Sequence, residues 1–147
     1  MASMYTSIVV GIDGSPTAEK ALERAIELAR VWSARLHVVS AYEPAHARVA
    51  GAPSGESYQV SESFKADAVL ERALDRAGAD GLSIEQHAPK GDPADGLLGV
   101  ADETGSDLIV IGSVGMQGPK RIFGSVPNSV SHRAGCDVLI VQTQSRG

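Results

Sequence analysis

The stretch from Gly112 to Ser125 reads Gly-Ser-Val-Gly-Met-Gln-Gly-Pro-Lys-Arg-Ile-Phe-Gly-Ser and carries the residue types that hold an anion. Gly112 and Gly115 lack a Cβ, so the backbone there can turn tightly and approach a ligand closely. Gly124 and Ser125 open a helical pattern. A helix N-terminus offers free N–H groups and the positive end of a dipole, which together suit phosphate. The Ser125 hydroxyl fits a further hydrogen bond to that phosphate, or an ordinary helix cap. Lys120 and Arg121, in the same stretch, supply positive charge for phosphate contacts. The spacing fits a phosphate cradle, and it also fits a plain glycine-rich link from strand to helix.

A second candidate is Asp13, in Gly11–Ile12–Asp13–Gly14–Ser15, directly after an apolar run. Its carboxylate suits bracing of the turn into the next helix. It equally suits a hydrogen bond to a ribose hydroxyl, or an indirect contact to a magnesium ion near phosphates.

Chemistry of this kind needs elements that bring the segments together. Five β-like runs alternate with four helical patterns. The runs cover residues 7–12, 35–42, 82–88, 107–112 and 137–142. The first, fourth and fifth are apolar on consecutive residues, as strands covered on both faces are. The third alternates more loosely, as an edge strand does. The helical stripes are Ala18, Ala21, Leu22, Ala25, Ile26, Ala29; then Ala66, Val69, Leu70, Ala73, Leu74, Ala77; then Ala94, Leu97, Leu98, Ala101; and last Val126, Val130, Ala134. Ser15 and Pro16 open the first helix, Asp92 and Pro93 the third. Gly78, Gly105 and Gly135 stand where helices end. Strict alternation calls for an α/β architecture: one doubly wound domain over 1–147, a five-stranded parallel sheet and four helices on two faces. In such sheets ligands sit beyond the carboxyl ends of the strands, where strand order reverses. The long irregular stretch from Glu43 to Ser61, with Pro44, Gly51, Pro53 and Gly55, has the length of a functional loop.

The composition narrows the function classes. Hydrophobic residues make up 43% and charged residues 21%, as in globular proteins. The net charge of −5 argues against a nucleic-acid or anionic-membrane surface. Apolar runs fall far short of the roughly 20 residues that a membrane helix needs. The single cysteine, Cys136, excludes an intramolecular disulfide and reads as a small buried residue. No basic segment followed by an apolar run opens the chain, so a cytoplasmic location is expected. His37, His46, His87 and His132 show no metal-ligand spacing along the chain. Walker, dinucleotide-Rossmann and nucleophile-elbow patterns are missing. A single Asp after the first run fits neither the acidic pair of a phospho-receiver domain nor the hydroxyl-rich loop of a flavodoxin.

Two of these features together resemble the universal stress protein family: the turn Gly11–Ile12–Asp13–Gly14–Ser15, and the family signature G-x2-G-x9-G-[S/T]. The signature stands here as Gly112–Ser113–Val114–Gly115 followed by Gly124–Ser125. Its spacer, Met116 to Phe123, is one residue shorter than the family's. The ending through Cys136–Asp137–Val138–Leu139–Ile140–Val141 is also similar. The resemblance implies strand order 3-2-1-4-5, a homodimer paired through strand 5 (137–142), and ATP as ligand, with magnesium. By motif position, Asp13 would contact ribose or metal and Ala41 would frame adenine. Gly112 and Gly115 would meet ribose and phosphates, and Gly124, Ser125 and Val126 would hold phosphates. The shorter spacer leaves cyclic AMP or AMP as the alternative ligand. The expected function is a nucleotide-binding module of stress response or signalling without efficient catalysis. Slow ATP hydrolysis, with Asp13 orienting metal or water, is the other possibility.

Overall fold

Strands buried on both faces must carry apolar residues at every position, and the centre of this sheet follows that rule. Ile8, Val9 and Val10 have no exposed surface, and neither do Leu36, Val38, Ile109 and Val110. The computed structural model describes residues 4–12, 16–41, 71–72, 75, 81–113 and 125–142, without the side chains of 16–19 and 125. In chain order the elements are β1 (Ser7–Gly11), α1 (Pro16–Trp32), β2 (Arg35–Val39), β3 (Ile84–His87), α2 (Pro93–Thr104), β4 (Leu108–Gly112), α3 (Ser125–Arg133) and β5 (Asp137–Val141). The five strands are all parallel, in the order β3-β2-β1-β4-β5. Fold class and strand order are therefore as expected.

Side chains alternate across a strand, so each strand feeds two layers. Ile8, Val10, Leu36, Val38, Leu108 and Val110 face α1, where Ala21, Leu22, Ala25, Ile26 and Ala29 close the first core. Val9, Val39, Ile109 and Ile111 face the opposite way, against Ala94, Leu97, Val100 and Ala101 of α2 and Val130 of α3. Three helices are thus described on two faces. Of the second helical stripe only its neighbours Glu71, Arg72 and Asp75 are described, and they are helical. That stripe's apolar residues, Gly78, Ser15 and the Glu43–Ser61 stretch lie outside the described residues.

Local signals set the helix ends. The Asp92 side chain accepts from the Asp95 N–H at 3.1 Å, Pro93 takes the first helical position, and Gly105 adopts φ 64° just past the end. Ser33 fills the matching left-handed position after α1, with φ 56°, and the Ala34 N–H then reaches back to the Ala29 carbonyl. Gly135 is not among the glycines with positive φ, so α3 ends without that device.

Two expectations need correction. The fifth run was read as covered on both faces, yet Val138, Leu139 and Ile140 are only partly buried. β5 is an edge strand, and a consecutive apolar run does not tell an internal strand from a partly exposed edge. Cys136 is half-buried rather than buried. Burial pushes its thiol up, and Asp137, Asp107 and Asp102 add to the effect, so it is a poor nucleophile.

The two central strands are clamped at their starts. Asp107, just before β4, accepts hydrogen bonds from the Thr6 N–H (3.1 and 3.2 Å), the Thr6 hydroxyl (3.1 Å) and the Ser7 N–H (3.1 Å). Its own N–H donates to the Ser7 carbonyl at 2.9 Å. Beside it the Ser7 and Ser106 hydroxyls lie 2.8 Å apart, and Thr104 reaches Ser106 at 2.7 Å. Partial burial pushes the Asp107 carboxyl up, but the Thr6 and Ser7 hydrogen bonds outweigh it and hold it below the usual aspartate range. A carboxyl lowered by folding stabilises the fold above its unfolded value, near pH 4, and that contribution fades as pH falls through the lower folded value. Asp107→Asn is therefore expected to cost about 1–2 kcal/mol at neutral pH, discounted for partial solvent exposure. Urea midpoints followed from pH 7 to pH 3 check this: the variant should lose less stability on acidification than the parent.

Candidate functional site

Because the strands are parallel, their carboxyl ends share one edge, and strand order reverses between β1 and β4. Backbone bonds continue past the strands and level their exits. The Ile12 N–H donates to the Val39 carbonyl (2.9 Å), that of Ser40 to the His87 carbonyl (3.0 Å), and that of Ser113 to the Val141 carbonyl (2.8 Å). Ser40 and Ser113 are buried, and the Ser113 hydroxyl donates to Gln142 Oε1 at 3.1 Å, tying the exits of β4 and β5.

α2 closes on this edge through two glycines. A methyl group on Gly11 would lie 3.0 Å from both Cδ atoms of Leu97. One on Gly96 would lie 2.8 Å from Pro89 Cγ and 3.5 Å from the Ala41 Cβ. Small residues therefore let the helix meet the β1 exit, Pro89 and Ala41. On the other side α3 leads into β5, and Arg133 near its end donates to Asp95 of α2 at 2.9 Å. Its first residue, Ser125, lies toward the edge where β4 ends, and the first turn of any helix leaves N–H groups without intrahelical partners.

Of the residues singled out in the sequence, Ala41 stands half-buried just beyond β2, Gly112 ends β4, and Ser125 and Val126 begin α3. The fold brings all four to the same edge. Asp13, Gly115, Lys120, Arg121 and Gly124 lie outside the described residues. A depression of about 690 Å³ sits elsewhere, at the opposite edge, lined by Arg30, Arg35, Ser83 and Thr104 among others. It is far from the switch point and open to solvent.

One grouping was invisible in the linear spacing. β2 and β3 pair with His37 opposite Glu85 and Val39 opposite His87. His37 Nδ1 lies 3.1 Å from His87 Nε2 and 3.2 Å from Glu85 Oε1. Burial holds the His37 imidazole below the ordinary histidine value; His87 and Arg35 press the same way, and Glu85 opposes. The local signal is a Glu-x-His pair on one strand face; its partner becomes apparent only once strand register is known.

Comparison with known proteins places this geometry. The Universal stress protein family matches residues 4–142. The universal stress protein Rv1636 of Mycobacterium tuberculosis is 41% identical over 145 residues, covering 96% of this chain and 99% of its own. A universal stress protein solved in complex with cAMP has 37% identity and a TM-score of 0.72, covering 95% of this chain and 98% of that one. The universal stress protein of Archaeoglobus fulgidus in complex with dAMP has 27% identity and a TM-score of 0.72, covering 95% and 99%.

The two glycines of α2 should answer differently to a methyl group. Gly99 is exposed with open space around it, so Gly99→Ala gains about 0.5–1 kcal/mol of helix propensity. Gly96→Ala must displace Pro89, and the overpacking offsets that gain and costs about 1 kcal/mol or more beyond it. Equal stabilisation of both variants in urea titrations would show that α2 does not bear on the edge beside Ala41.

Proposed function

The chain belongs to the universal stress protein family, and from that premise we propose that it holds an adenine nucleotide across the edge where β2, β1 and β4 end. The observation that carries the proposal is the shared carboxyl edge at the point of order reversal: a backbone bond levels β1 with β2, another levels β4 with β5, register sets Val10 opposite Val110, and α3 starts beside them. β2 and β4 flank β1, so Ala41 and Gly112 are separated by two strand spacings, on the order of 10 Å, the scale of a nucleoside. In this reading the backbone at Ala41 reads the adenine edge, and Gly112 and Gly115 approach ribose and phosphates. Gly124, Ser125 and Val126 hold phosphates through N–H groups and the hydroxyl. Lys120 and Arg121 add charge, and Asp13 meets ribose or an ion of magnesium. The relatives in complex with cAMP and dAMP support an adenine ligand.

The proposed ligand is ATP with magnesium. Cyclic AMP is the second reading, favoured by the spacer of eight residues in place of nine and by the relative solved with cAMP. The protein acts as a cytoplasmic binding module of stress response or signalling over 1–147, with slow hydrolysis as the other outcome. Pairing of two copies through β5 would cover the partly buried Val138, Leu139 and Ile140. Among the described residues no helix is long and apolar enough to cross a membrane.

Calorimetric titration of nucleotide-stripped protein tests the reading. ATP with magnesium should bind in the micromolar range, and folded Gly115→Val should bind at least about tenfold more weakly, because its side chain fills phosphate space. Binding of cyclic AMP alone moves the conclusion to the second reading, and binding of neither removes it. Phosphate release above the blank that disappears in Asp13→Ala would mark the protein as a slow ATPase.

A further inference from the structure

We propose that His37, Glu85 and His87 form a site for one divalent transition-metal ion of the zinc class. The three donor atoms lie within 4.8 Å of one another, at separations of 3.1, 3.2 and 3.8 Å. Tetrahedral zinc with bonds of about 2.0–2.1 Å places neighbouring ligand atoms about 3.3 Å apart. A point about 2 Å from all three atoms exists for a triangle of these dimensions, so an ion can enter without moving the backbone.

The fold supplies the rest of what such a site needs. His37 belongs to a strand paired on both sides, and its side chain is 2% exposed, so it cannot swing away. Glu85 and His87 stand two residues apart on β3 and therefore point to one face, and register sets them opposite His37 and Val39. The side chains of Glu85 and His87 are 62% and 23% exposed, which opens a path for the ion and a fourth position for water. Two imidazoles and one carboxylate form the ligand set of zinc-type ions rather than of magnesium or calcium, which prefer oxygen. Arg35 shares the face and brings an opposing charge, but its exposed side chain can carry that charge outward. His37 Nδ1 has two close neighbours and at most one proton to offer them. A cation satisfies all three lone pairs at once.

This inference is independent of the nucleotide proposal, and its test uses nucleotide-free, tag-free full chain stripped with a chelator. Zinc should be taken up at one equivalent with a dissociation constant on the order of micromolar or tighter. Cobalt in its place should give the visible absorption of a four-coordinate ion. Glu85→Gln at an exposed position and His87→Gln at a partly buried one, both on an edge strand, should each weaken zinc at least about tenfold and remove the cobalt band. A parent protein that takes up no stoichiometric zinc overturns the proposal, whatever the variants do. Folded variants that bind as tightly as the parent also overturn it, by moving the ion to other histidines.

Discussion

The pairing of β1 with β4 is the constraint on which the rest of this molecule depends. It joins the two halves of the sheet and forms the point where strand order reverses. It is set at one end by the Asp107 carboxylate gripping the N–H groups of Thr6 and Ser7. From there the register runs Ile8 opposite Leu108 to Val10 opposite Val110. A slip of one residue would turn every side chain of one strand to the wrong face. Ile8 and Val10 would leave the α1 core, and Val9 would leave the α2 core. The clamp therefore fixes both hydrophobic layers, and through them the level at which the strands release the chain at the opposite edge.

Among the described residues, what stands at that edge is mostly backbone and small side chains. Gly11 and Gly96 hold positions where a methyl group would crowd Leu97 and Pro89, and Ala41, Gly112 and Ser113 are small as well. An edge built this way offers main-chain N–H and C=O groups, whose positions the sheet ladder already determines. Such groups need no reorganisation and carry no side-chain entropy cost.

Much of the fold was legible in the sequence. Residues 7–12 and 107–112 read as buried strands because both faces really are covered. Asp92, Pro93 and Gly105 marked the limits of α2 because cap chemistry is local. Strand order was less accessible: periodicity supplied five parallel strands, and their sequence across the sheet came only from the family resemblance. The fifth run misled because a local pattern carries no information on what lies beyond the sheet edge. Ala41, Gly112, Ser125 and Val126, which the fold sets at one sheet edge, were grouped from motif and family resemblance. The histidine pair was not, since His37 and His87 are 50 residues apart and meet only through the pairing of β2 with β3.

That pair also explains why β3 is so polar for a strand in a parallel sheet. On the face that holds Val9, Val39 and Ile109 the aliphatic layer is covered by α2 and α3, and it ends at the sheet margin. His37 occupies the last buried position of β2 on that face, where an aliphatic side chain would leave β3 without a polar anchor. Burying an imidazole is unfavourable unless its nitrogens find partners. Glu85 and His87 both approach Nδ1 from the neighbouring strand, at the cost of a hydrophobic pattern on β3 itself. The same His87 receives the Ser40 N–H on its carbonyl, one residue before Ala41. Polar contacts thus hold β3 at both side chain and backbone, and they fix the flank of the edge that the glycines leave open.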